Sequence, residues 1–90
     1  MATVHLPAPL RSLAGGASSV SVSGGTVGEV IDQLDQAHPG LRDRLVQGDR
    51  LRPGLAVFVD DQRPLGGLRA KVGPDSAVYI APAVAGGASG

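Results

Sequence analysis

One helix-length amphipathic segment constrains this chain more than any other feature. Thr26-Val27-Gly28-Glu29 carries the capping-box pattern, in which a Thr hydroxyl and a Glu carboxylate three residues later satisfy amide donors left over at a helix start. Val27, Val30, Ile31 and Leu34 recur at helical spacing, while Glu29, Asp32, Gln33 and Gln36 take the opposite face. Such a helix must bury its apolar stripe on another layer. The pattern predicts a stop near His38-Pro39-Gly40, because the residue before proline leaves the α region and glycine takes the turn. Leu41 and Leu45 fit one further helical turn.

The second layer is written in short runs. Thr3-Val4-His5-Leu6 alternates and predicts a strand with Val4 and Leu6 inward, ended by Pro7 and Pro9, which lack a ladder donor. Ser19-Val20-Ser21-Val22-Ser23 alternates with period two and completes a hairpin with it. The polar stretch Gln47 to Gly54 reads as an exposed loop, and Leu55-Ala56-Val57-Phe58-Val59 as the central strand. Asp60-Asp61-Gln62 turns the chain into a short edge segment around Arg63 and Pro64, and Leu65-Gly66-Gly67-Leu68 into a tight turn with a brief helical stretch. After the turn Gly73-Pro74-Asp75, Ala77-Val78-Tyr79-Ile80-Ala81 is the last strand, with Val78 and Ile80 inward. The order is strand, strand, helix, short helix, strand, short strand, strand, too irregular for repeated parallel βαβ units. The fold class expected is α+β: a mixed sheet of about five strands clasping one main helix. Residues 1–82 form the domain and 83–90 a tail of small residues.

Composition narrows the function. At 90 residues the chain supports one domain. Apolar residues make up 42% and charged ones 18%, enough to fold and too few charges for disorder. Eight basic and eight acidic residues cancel, so no net field draws in a polyanion or an anionic membrane. Phe58 and Tyr79 are the only aromatics, too few for a base-stacking platform, and a nucleic-acid role is not expected. Cysteine is absent, which excludes disulfides, thiolate metal sites and a thiol nucleophile. No signal core or bilayer-length apolar run is present, so a cytoplasmic location is expected.

With the hairpin, the capped helix Thr26-Val27-Gly28-Glu29-Val30-Ile31, the strand-turn Val57-Phe58-Val59-Asp60-Asp61 and the turn Val72-Gly73-Pro74-Asp75-Ser76 in this order, the tail becomes informative. It runs Val78-Tyr79-Ile80-Ala81-Pro82-Ala83-Val84-Ala85-Gly86-Gly87. Together these segments resemble the ubiquitin-like sulfur carriers of the molybdopterin-synthase small subunit and thiamin sulfur-carrier family. The ending Pro82 to Gly87 is most similar to carriers that serve a cysteine synthase. The resemblance implies a β-grasp fold and no bound cofactor. It implies that a ubiquitin-activating-like adenylyltransferase uses ATP to adenylate the Gly87 carboxylate, and that a sulfurtransferase helps convert it to a thiocarboxylate. A sulfur-accepting synthase, such as a cysteine synthase, is the partner that follows. Adenylation makes chemical sense because a carboxylate is a poor acyl donor until one oxygen leaves with AMP. Gly86 and Gly87 lack Cβ atoms, which lets the tail enter a narrow channel.

The chain continues past Gly87 through Ala88-Ser89-Gly90, so the Gly87 carbonyl sits in a peptide bond. Removal of these residues by a zinc-dependent peptidase, at the junction of Gly87 and Ala88, would expose the carboxylate. A fusion scar is the other reading. The acceptor stays open between cysteine, molybdopterin, thiamin and another sulfur-containing metabolite. A covalent modifier joined to lysines and a noncovalent β-grasp module stay open as alternatives.

Other candidates carry less. His5 and His38 have no catalytic partner in sequence, and Asp60-Asp61 reads as a solvated turn with no metal. Ser18, Ser19, Ser21 and Ser23 fit no nucleophile motif, so the chain is not expected to be an enzyme. Leu65, Leu68, Pro82 and Val84 are apolar positions near the last strands and tail, suited to partner contact or to core packing.

Overall fold

A computed structural model describes residues 1–82 of the chain. Strands β1 (Ala2–His5) and β2 (Ser19–Val22) form the expected antiparallel hairpin, with Val4 opposite Val20 and Thr3 opposite Ser21. Between them lies a short helix α1 (Ala8–Arg11), followed by one 3-10 turn (Ser12–Ala14). Pro7 and Pro9 mark the strand end and Ala14-Gly15-Gly16 the turn in sequence, and the helix between them is not expected from the pattern. Pro9 sits in the first turn of α1, where a missing N–H costs nothing.

Helix α2 (Val27–Ala37) is the main helix and buries Val27, Val30, Ile31 and Leu34. Its cap is the predicted one with a shift. The Glu29 N–H donates to Thr26 Oγ1 at 3.2 Å, while the Glu29 carboxylate accepts from the Gly25 N–H at 2.7 Å, one residue earlier than the usual box. The helix ends as the His38 N–H donates to the Leu34 carbonyl. Asp35 Oδ1 then accepts from the N–H groups of Gly40 and Arg42 and ties in helix α3 (Leu41–Leu45), whose Leu41 and Leu45 are buried.

The stretch expected as an exposed loop contains a two-stranded ribbon, β3 (Val46–Gln47) with β4 (Arg50–Leu51), turning at Gly48-Asp49. Its polar composition hides two short strands whose backbone pairing needs little side-chain burial. Strand β5 (Leu55–Val59) pairs antiparallel with β6 (Ala77–Pro82). The main sheet has the order β2-β1-β6-β5, with β1 and β6 parallel at its centre. Two expectations are corrected here. The sheet has four strands with a separate ribbon of two, and β5 lies at an edge. Its apolar run arises because Val57 faces the core while Phe58 and Val59 are only half-buried. The Arg63-Pro64 segment forms no strand, and the bridge beside it joins Val59 to Gln62.

The core lies between the sheet and the two helices: Val4, Val57, Val78 and Ile80 from strands, Ile31, Leu34, Leu41 and Leu45 from helices. No described buried side-chain polar atom lacks a partner. Among the described residues, no helix is long and apolar enough to cross a membrane.

Candidate functional site

The site has to be built from the strand that feeds the tail. β6 lies between β1 and β5, and its register sets the end of the sheet at which the described residues stop: His5 at the end of β1 pairs with Tyr79, and Leu55 at the start of β5 pairs with Pro82. Residues 80–82 therefore run past the last β1 residue, held by β5 alone. Alternate residues Val78 and Ile80 are buried, so the emerging backbone is anchored by two core side chains within its last five described positions.

The sheet face away from α2 carries the odd-numbered residues of β1 and β6. Ser19, His5, Tyr79 and Phe58 form one row across all four strands. The rings of His5 and Tyr79 stack with centroids 4.3 Å apart and planes 9° from parallel, and Tyr79 remains 40% exposed. His5 is thus a packing partner of the tail-bearing strand.

The opposite end of β6 is locked. Asp60 and Asp61 both have positive φ (52° and 70°), the signature of a two-residue mirror-image turn, closed by paired backbone hydrogen bonds between Val59 and Gln62. The Asp60 carboxylate accepts from the Ala77 N–H at 2.9 Å and from the Ser76 hydroxyl at 2.8 Å, while Ser76 Oγ accepts from the Gly73 N–H at 2.8 Å. These donors, the Ala77 amide first and Ser76 second, hold the Asp60 carboxyl below its ordinary range. The pair was read as an ordinary solvated turn. Asp60 is solvated, and it also fastens the first residue of β6. The signal was present: two αL-tolerant residues stand directly after an apolar strand.

Of the residues singled out in sequence, Leu65 is 94% exposed, and Leu68 is half-buried against the core beside a 3-10 turn (Gly67–Arg69). That turn packs on α2, where a Cβ at Gly28 would come within 3.2 Å of the Leu68 carbonyl oxygen. Pro82 is exposed on β6 opposite Leu55. Val84, Gly86, Gly87 and Ala88 lie outside the described residues, as does the tail assigned to 83–90. Among the described residues no group of three His, Cys, Asp or Glu side chains is placed to hold a metal.

Comparison with known proteins decides what this arrangement serves. The family model described as the ThiS family matches residues 4–87, from within β1 to the second glycine of the tail pair. The chain belongs to the ThiS family. This ThiS-family chain is 40% identical to the sulfur carrier protein CysO of Mycobacterium tuberculosis H37Rv over 94% of its own length and 97% of the relative's. Its fold matches a chain in the crystal structure of the Amycolatopsis orientalis BexX/CysO complex with a TM-score of 0.88. That match has 42% identity and covers 97% of this chain and 100% of the other. The small archaeal modifier protein SAMP1 of Haloferax volcanii is more distant, at 28% identity and a TM-score of 0.72, with 96% and 98% of the two chains covered. The β-grasp expectation therefore holds for the architecture, with the strand count corrected as above.

Proposed function

We propose that this chain is a sulfur carrier, a protein cosubstrate with no catalytic site of its own, whose working group is the α-carboxylate of Gly87. The observation that carries this reading is the ThiS-family match that extends through the tail and stops at Gly87. It is supported by the 40% identity to a sulfur carrier over nearly the whole chain. Removal of Ala88-Ser89-Gly90 by a zinc-dependent peptidase frees the carboxylate. A carboxylate oxygen attacks the α-phosphorus of ATP on a ubiquitin-activating-like enzyme, pyrophosphate leaves, and an acyl-adenylate results. A sulfur nucleophile then attacks the acyl carbon and AMP departs, leaving the thiocarboxylate. With sulfide as the nucleophile, one proton is released and no redox partner is needed. The similarity of the ending Pro82 to Gly87 to cysteine-synthase-coupled carriers favours cysteine as the product.

The test uses protein ending at Gly87. Among the described residues every buried core residue lies between Ala2 and Ile80, and truncation after Gly87 keeps all of them. Incubation with ATP, the adenylyltransferase of the source genome and sulfide should raise the intact mass by about 16 Da, oxygen replaced by sulfur. Absence of both adenylate and mass gain would refute the reading. The likeness to SAMP1 favours a second product, an amide between Gly87 and target lysines. Conjugates of higher mass in native extracts would show that use.

A further inference from the structure

The end of the sheet that carries Pro82, the last described residue, is not chemically neutral. β1 ends there, β5 begins there, and β6 passes between them to Pro82. α1 follows β1 directly, and Arg52 stands three residues before Leu55, its carbonyl accepting from the Leu55 N–H. At this end an open cavity of ≈ 480 Å³ is lined by Leu10 of α1, Asp43 and Arg44 of α3, and Arg52. The Arg52 Nε–H donates to the Asp43 carbonyl at 2.7 Å, and its backbone N–H donates to the Leu45 carbonyl, so the side chain is held over the cavity. The Arg11 Nε–H donates to the Leu6 carbonyl at 3.1 Å and brings a third guanidinium to the same end. Among the described residues the one ion pair is Arg42 with Asp32, which leaves Arg44 and Arg52 without a paired carboxylate. Set against Asp43 of the same lining, Arg11, Arg44 and Arg52 still leave this end with a local excess of positive charge beside the apolar Leu10.

Chain reach connects the cavity to the tail. Gly87 lies five residue steps beyond Pro82, a reach of at most about 17 Å when extended. An enzyme that encloses Gly87 must therefore stand against this end of the sheet.

We propose that Arg44 and Arg52, flanking Leu10, form a docking rim for an acidic surface bordering the tail channel of the adenylating enzyme, with an Asp or Glu of that enzyme entering the cavity. The inference rests on the carrier reading above. Guanidinium forks suit carboxylates in a bidentate geometry, and exposed charges at a rim act chiefly on encounter, so the effect falls on KM.

The test measures steady-state adenylation of protein ending at Gly87 by the adenylyltransferase of the source genome, between about 0.05 and about 0.5 M NaCl. Arg44→Glu, whose side chain has no ion-pair partner among the described residues, and Arg44→Glu/Arg52→Glu should raise KM by about tenfold or more at low salt with kcat little changed. The KM of the parent chain should rise with salt, and the gap to the variants should close. Arg63→Glu makes the same charge change beyond the Asp60-Asp61 turn, at the opposite end of β5, and should leave KM near the parent value. Equal shifts for Arg63→Glu, a salt-independent gap, or no shift in either rim variant would overturn the docking rim. An unmodified parent chain would instead sink the carrier reading itself.

Discussion

Asp60 shows how one side chain can hold a strand in place. Its carboxyl is depressed by bonds made only in the folded chain, so the ionised form is favoured by folding. That contribution is fully present above the unfolded-state value, near the ordinary 3.8, and is lost as pH falls through the lower folded-state value. Asp60→Asn keeps a carbonyl acceptor and tolerates the positive φ, so it isolates the charge. The urea midpoint of the variant should lie below that of the parent at neutral pH, and the two should converge in strong acid. A gap independent of pH would mean that the charge contributes nothing. Gly24 illustrates a different constraint. Its φ is 151°, and a Cβ there would stand 2.9 Å from the Val30 amide nitrogen and 3.0 Å from Val30 Cγ2. Gly24→Ala should cost about 1–3 kcal/mol by urea denaturation, because the first turn of a buried helix has to move.

Among the elements, α2 was legible because cap, periodicity and stop signal agreed: Thr26, the Val27 to Leu34 stripe and His38-Pro39 each mark the same helix. Thr26→Ala should lower stability by about 1 kcal/mol in the same assay, while Glu29→Gln, which can still accept from the Gly25 N–H, should cost less. β5 was misread in position for a physical reason. An apolar run reports burial on two faces, and it does not report how many neighbours the backbone has. β1 and β6, which do lie at the centre, alternate instead, because their second face carries Thr3, His5 and Tyr79. The β3–β4 ribbon was illegible because two-residue strands carry no period. The tail glycines were found through family resemblance. Leu10, Arg44 and Arg52 were missed because α1, α3 and the segment before β5 converge only in three dimensions.

Across the whole molecule, the fold acts as a stand for a short reach of chain. Gly86→Val places a β-branched side chain in the pair proposed to thread a partner's channel. Thiocarboxylate formation should fall by about a hundredfold with the thermal midpoint unchanged, the described core lying between Ala2 and Ile80. A parallel fall in midpoint would place Gly86 in the fold. The central pairing of Val4 with Val78 joins the first strand to the last. Such a contact closes a loop of nearly the whole domain, the kind of contact that sets in late during folding. Synthesis therefore delivers the last strand after every other element has been made, and the domain is complete only when that strand has docked. A chain clipped or stalled before β6 has no sheet centre and no root from which to extend a tail. Completion of the sheet and rooting of the tail-bearing strand are thereby made the same event.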